Sequence, residues 1–306
     1  MQRHRPATRA LGSLVMARIA IIGGGSMGEA LLAGLLRSGR QVKDLVVSEK
    51  SPERAKQLSE KYSVQVASVA DAAEHANFVL VAVKPADVEL VIGDIAEAAA
   101  KAEADSAEQV FVSVAAGVPT SFFESKLPAG APVIRVMPNA PALVGAGISA
   151  LAPGRFATAE QLQAVSDVFG CVGGVITVVE SQLDAVTAVS GSGPAYFFLM
   201  VEALVDAAVA SGLSRPVATD LVVQTMAGSA AMLLEGMDQG SGADSGRRSG
   251  TGVDTTAAQL RATVTSPGGT TAAGLRELER GGLRAAVDNA VTAAKIRSEQ
   301  LGITSE

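Results

Sequence analysis

Short runs of valine, isoleucine and leucine alternate with longer amphipathic stretches through the first half of the chain. Arg18–Ile22, Leu45–Ser48, Phe78–Val83, Val110–Val114 and Val133–Met137 carry the β-branched, turn-bounded signature of buried strands. Stretches between them, such as Gly28–Ser38 and Pro52–Tyr62, place apolar residues at helical spacing. Strand–helix alternation of this kind predicts a parallel sheet covered by helices on both faces. Gly147–Leu151 and Val175–Val179 are expected to extend the sheet, with a helix over Ala159–Phe169 between them. From Ser181 onward the pattern is helical only. Pro194–Ser211 is apolar nearly all round, and Pro216–Leu234 begins with a proline suited to a first turn. Leu283–Leu301 lines up Leu283, Ala286, Val287, Ala290, Val291 and Ala294 on one face. The expected architecture is therefore α/β, with a sheet domain over 17–180 followed by an all-α domain over 181–306. A helix apolar all round suits burial between two subunits, so the second domain is expected to dimerise the chain.

Composition narrows the chemistry. At 306 residues and 48% hydrophobic content the chain can fill two cores. Its net charge of −6 gives no basic footprint for nucleic acid. The one cysteine, Cys171, excludes an intrachain disulfide and a multi-cysteine metal site, and it fits a reducing, cytoplasmic setting. No metal site is expected. His4 and His75 are the two histidines, the first in a terminal stretch and the second in a polar helical one, so histidine-driven catalysis is excluded. Residues 1–16 carry Arg3, Arg5 and Arg9 but no sustained apolar run. They are expected to be a disordered extension, or to precede a natural start at Met16, rather than a targeting peptide. The apolar run Tyr196–Ala210 contains Glu202 and Asp206 and reads as too short and too charged for a membrane span. Gly236–Asp254, rich in Gly, Ser, Asp and Arg, is expected to be a flexible surface insertion, with Arg247 and Arg248 solvated.

Two loops carry candidate chemistry. The first, Gly23–Gly28, fills a G-x-G-x-x-G pattern directly after a strand and opens a helix, the context such a motif requires. Gly23 permits the turn, Gly25 lets a pyrophosphate approach the backbone, and Gly28 lets helix and strand pack closely. Ser26 and Met27 complete this cofactor loop of a Rossmann-type dinucleotide-binding domain. The second strand ends in Ser48-Glu49-Lys50-Ser51, where the adenosine ribose is read. Glu49 would accept from ribose hydroxyls and repel a 2′-phosphate, favouring NADH. Lys50 and the serines would hold that phosphate and favour NADPH. Ala82, Val83, Lys84 and Pro85 end the Phe78–Val83 strand, where ligands of open α/β sheets bind. Ala115 and Gly117, then Pro138 and Asn139, end later strands and are expected near the nicotinamide.

The second loop, Val264–Thr271, reads Val-Thr-Ser-Pro-Gly-Gly-Thr-Thr before a helical pattern that begins near Ala272. Adjacent glycines allow a sharp turn, Ser266, Thr270 and Thr271 supply hydroxyls, and a helix start offers free N–H groups to a small anion.

These residues assemble into a pattern that resembles pyrroline-5-carboxylate reductases from about Ala17 to Gly302. The motifs follow in family order: Ile-Gly-Gly-Gly-Ser-Met-Gly at 22–28, Ala-Val-Lys-Pro at 82–85, Arg-Val-Met-Pro-Asn-Ala-Pro at 135–141, Ser-Gly-Ser-Gly-Pro-Ala-Tyr at 190–196 and Thr-Ser-Pro-Gly-Gly-Thr-Thr at 265–271. The resemblance implies reduction of L-1-pyrroline-5-carboxylate to L-proline, the last step of proline biosynthesis, by hydride from NADPH, with NADH as the alternative. It also implies a helical domain that interleaves with a partner, as homodimers often assembled into decamers. The small substrate's carboxylate would meet Ser266, Gly268, Gly269, Thr270 and Thr271, and Thr271 Oγ would hydrogen-bond the imine nitrogen. Ser190–Pro194 would cap its helix and shape the nicotinamide site. A protonated imine needs no strong acid, which matches the missing histidines. Two departures stand out: the Gly236–Asp254 insertion is long, and Glu49 replaces a Ser/Thr-rich ribose loop. The rival β-hydroxyacid dehydrogenases need a base lysine after the domain junction, yet the one lysine beyond Lys126 is Lys295. A non-catalytic dinucleotide sensor that dimerises through its helices is the other alternative, and turnover separates it.

Overall fold

The computed structural model describes residues 17–101, 109–239 and 256–302. The expected extension at 1–16 and most of the expected insertion, including Arg247 and Arg248, lie outside them. Residues 236–239 of that insertion continue a helix instead.

Eight strands form one sheet: β1 (Ile19–Ile22), β2 (Leu45–Ser48), β3 (Gln65–Val66), β4 (Phe78–Val81), β5 (Val110–Ser113), β6 (Val133–Met137), β7 (Gly147–Pro153) and β8 (Gly173–Thr177). Their order is β3-β2-β1-β4-β5-β6-β7-β8. Every pairing is parallel except β6 with β7, which is antiparallel, with Val136 opposite Leu151. This departs from the all-parallel expectation. The link 138–146 is far too short for the helical crossover that a parallel neighbour needs. The two-residue edge strand β3 left no periodicity to read in the sequence.

Helices α1 (Ser26–Arg37), α2 (Pro52–Tyr62), α3 (Val69–Glu74), α4 (Val88–Lys101), α5 (Thr120–Lys126) and α6 (Ala159–Phe169) connect the strands. Side chains alternate across a strand, so each strand feeds two cores. Ile19, Ile21, Val47, Leu80 and Val112 pack with Leu31 and Leu35 of α1, Leu58 of α2 and Phe169 of α6. Ala20, Ile22, Val46, Val79 and Val81 pack on the opposite face with Ala72 of α3, Ile92 and Ile95 of α4 and Phe123 of α5. Continuous apolar strands are what a sheet buried on both faces requires.

A short helix α7 (Leu183–Val186) and a π-helical turn over Thr187–Gly191 lead into α8 (Gly193–Ala210), followed by α9 (Arg215–Gln239), α10 (Thr256–Thr263), α11 (Thr270–Arg280) and α12 (Leu283–Leu301). The chain divides into two compact units. One runs to Pro194 and takes in the chain again from Val291; the other is Ala195–Ala290. Within the first, Ser298 of α12 donates to Asp184 at 2.6 Å. The second is helical and buries few of its large apolar residues: Phe197, Phe198 and Leu199 of α8 and Leu221 and Leu234 of α9 are all more than half exposed. The run Glu180–Ala210 is longer than its sequence pattern suggested, because helical turns from Glu180 onward join α8. By length and composition, it and Arg215–Gly236 are long and apolar enough to cross a membrane.

Candidate active site

A cleft of about 730 Å³ opens where β1, β2 and β4 end. Gly23, Gly25, Ser26, Ser48, Glu49, Lys50, Ala82, Val83 and Lys84 line it, so the structure brings together residues that lie far apart in sequence. Gly23 has φ +105°, and a Cβ there would lie 2.5 Å from the Ala82 carbonyl oxygen; its N–H donates to Ser48 O at 2.8 Å. Nothing lies within 4 Å of a Cβ built on Gly25. That open space, at a helix start with no side-chain cap, fits a pyrophosphate on the first-turn N–H groups of α1. Gly28 is not part of the lining; a Cβ there would meet Gly23 O and Ile21 of β1, so its role is the close packing of α1 on the loop and β1.

Charged groups that the sequence did not single out shape the end of the cleft beside β2. Arg54, in the first turn of α2, lines the cleft together with Glu29, Asp87 and Asp94. Its Nε donates to Gly24 O at 2.9 Å, and its Nη2 meets the Glu29 carboxylate. Lys61 and Tyr62 also donate to Glu29, at 2.9 and 2.8 Å. Lys50 is mostly exposed and pairs with both oxygens of Asp87 at 2.9 Å. Glu49 accepts from Gly24 N–H at 2.8 Å and from Ser51 N–H at 2.9 Å. The signal for Arg54 was present as Ser51-Pro52, a cap and a first-turn proline that place the residue three beyond the cap over the loop.

The donors around Glu29, Lys61 foremost and then Arg54, hold its carboxyl down from 4.5 to about 2. A depressed carboxyl contributes stability that is complete above its unfolded value and is lost as pH falls through its folded value. Between about pH 4.5 and 2 the protein is therefore expected to lose the stability that this cluster contributes. Glu29→Gln should flatten that part of the acid-side stability profile in denaturant melts. An unchanged slope would show that the cluster contributes nothing to folding.

Four expected cofactor residues lie beyond the cleft lining, near the ends of later strands. Ala115 is buried, with its N–H on Ser113 Oγ at 3.2 Å. Gly117 has φ +75°, and a Cβ there would lie 2.9 Å from Leu301 O, so the end of α12 packs on this loop. Pro138 is buried. Asn139 accepts from Ile148 N–H at 2.9 Å and donates to Ser190 O at 3.1 Å, joining the β6 end to the π-helical turn. Met27 and Pro85 also lie outside the lining. Cys171 is half-buried with its thiol pushed up to about 11 by burial, so it is un-ionised at neutral pH, and His75 sits exposed at the surface.

In the helical unit, Ser266-Pro267-Gly268-Gly269 forms a turn with Gly268 at φ +70° and Gly269 N–H donating to Ser266 O at 3.1 Å. Proline second and a positive-φ glycine third make this a type II turn. Gly269 N–H is thereby already used, a refinement of the sequence reading. Gly269 then precedes α11 without a side-chain cap, and Ala273 makes the first helical bond, to Gly269 O. The N–H groups of Thr270, Thr271 and Ala272 come before that bond and have no partner within the helix.

Residues 180–301 match the family model for pyrroline-5-carboxylate reductase dimerisation, and 18–117 match that for NADP oxidoreductase, coenzyme F420-dependent. The pyrroline-5-carboxylate reductase of Mycobacterium tuberculosis is 72% identical over 291 residues, 95% of this chain and 99% of that protein. The chain belongs to the pyrroline-5-carboxylate reductase family. The family member from Coxiella burnetii has the same fold, with a TM-score of 0.82 at 33% identity over 94% of this chain and 100% of that one. The Plasmodium falciparum reductase, solved with NADP bound, gives 0.76 at 28% identity over 94% and 99%. As a pyrroline-5-carboxylate reductase, the chain is an oxidoreductase of proline biosynthesis.

Proposed function

We propose that this reductase binds NADPH in the cleft at the ends of β1, β2 and β4 and holds the substrate on the turn before α11. The bound dinucleotide supplies the hydride. The glycine loop, with its open face at Gly25, receives the pyrophosphate, and the ends of β5 and β6 shape the nicotinamide side. The substrate is a cyclic imine with one carboxylate. The observation that carries its placement is the type II turn that delivers three N–H groups and the Thr271 hydroxyl to one helix start. Thr270, Thr271 and Ala272 N–H groups, with Ser266 Oγ, bind the carboxylate; Thr271 Oγ holds the imine nitrogen and its proton. Orientation of the reactants is the main contribution, worth several kcal/mol and up to roughly 7–11 in favourable cases.

The exposed apolar faces of α8 and α9 are covered by a second copy, giving a homodimer, and dimers assemble into a decamer in the cytoplasm. The dimerisation family match over these helices supports this reading over a membrane location. Purified protein mixed with pyrroline-5-carboxylate should oxidise NADPH, read as loss of absorbance of the reduced cofactor. No loss with either NADPH or NADH would overturn the assignment.

A further inference from the structure

The middle glycine of the loop, Gly24, is held at both ends of its backbone by side chains from the ribose side of the cleft. Glu49, just past β2, accepts its N–H at 2.8 Å, and Arg54 of α2 donates to its carbonyl at 2.9 Å. The other Glu49 oxygen accepts Ser51 N–H at 2.9 Å, at the residue that caps α2. Arg54 is anchored in turn by Glu29 in the first turn of α1. Gly24 has no room to move outward, since a Cβ there would come 2.3 Å from Leu58 Cδ1 and 3.1 Å from Glu49 Oε2.

We infer that Glu49 and Arg54 are positioning residues, a clamp that fixes the peptide of Gly24 so that the neighbouring Gly25 and the start of α1 are preset for the pyrophosphate. The inference rests on the cleft being the dinucleotide site. It gives Glu49 a second role: each carboxylate oxygen accepts a backbone donor, one on the loop and one at the α2 cap, so the group acts on the diphosphate through the loop. A preset loop avoids part of the ordering cost of binding, and that saving is the same for NADH and NADPH. The clamp itself then does not discriminate at the 2′-position.

Two fragments separate the roles, because ADP carries the diphosphate without the 2′-phosphate, and 2′-AMP carries the reverse. Affinities of Glu49→Ser for NADPH, NADH, ADP and 2′-AMP would be measured by calorimetric titration without substrate. The expected result is a parallel loss of about tenfold for NADPH, NADH and ADP, with 2′-AMP unchanged within about twofold. Arg54→Met should repeat this split. A gain in 2′-AMP and NADPH affinity with a loss for NADH would overturn the inference for Glu49, as would unchanged ADP affinity. Loss of 2′-AMP with ADP retained would overturn it for Arg54. General damage to the domain would weaken all four ligands together and would also reject a specific clamp, with Glu49→Gln, which keeps one acceptor, as the milder check. Fragment titration does not depend on turnover, so failure here is distinct from failure of the wild-type protein to reduce pyrroline-5-carboxylate.

Discussion

Thr271→Ala is expected to lower kcat/KM for pyrroline-5-carboxylate by about a hundredfold, with the affinity for NADPH unchanged within about twofold. A hydroxyl that positions or passes a proton at a reacting nitrogen contributes on the order of 10²-fold or more. The described chain has no histidine near a candidate site to replace it, since His75 is at the surface and 70% exposed. The residue is the second of α11, where the helix start makes no side-chain cap hydrogen bond. Removing the hydroxyl therefore leaves the helix its backbone bonds, and a loss of activity reads as chemistry rather than unfolding. Thr271→Ser keeps the oxygen and should recover most of the rate. Turnover by the alanine variant equal to that of the parent would remove Thr271 from the mechanism.

Gly28→Ala should cost the sheet domain about 3 kcal/mol and abolish measurable cofactor binding. A Cβ at this position would lie 1.9 Å from the Gly23 carbonyl oxygen and 3.1 Å from its carbon, and neither backbone atom can step aside as a side-chain end could. To fit the methyl group, α1 must draw away from β1 and the turn at Gly23 must open, an overpacking cost at the upper end of its range. For a unit the size of the sheet domain that corresponds to a fall in Tm of roughly 6–12 °C. Gly25→Ala is the contrast. Its φ is −66° and nothing lies within 4 Å of the new methyl, so folding should be untouched while the pyrophosphate loses its close approach. Equal melting temperatures for Gly28→Ala and the parent would contradict the packing role; unaltered NADPH affinity in Gly25→Ala would place the diphosphate elsewhere.

Much of this was legible along the chain because it depends on local period. Ala159–Phe169 and Leu283–Leu301 appear with the bounds their apolar spacing predicts, and the β-branched runs became strands within a residue or two at most ends. The glycine loop was equally readable, since a strand, a tight turn and a helix start are contiguous in sequence. The antiparallel β7 was missed, although the short 138–146 link carried the information. The extra length of the helical run before α8 was also missed, because Ser-Gly-Ser-Gly reads as a breaker and the π-helical turn absorbs it.

The carboxylate–glycine tie is of another kind. Glu49 and Gly24 are 25 positions apart, and Arg54 and Glu29 likewise 25. From residue types alone, Glu49 reads as a ribose acceptor and Lys50 as a phosphate ligand; in the fold, one holds the loop and the other pairs with Asp87. What the chain determined by itself was the sequence of elements, the two loops with special backbone geometry and the family they mark, because each is set by residues within a turn or two of one another. What only the tertiary structure decided was which hydrogen-bonding groups the protein's own backbone and side chains already engage. Parallel strand order places β2 beside β1, and that adjacency hands the carboxylate of one strand end to the backbone of the next.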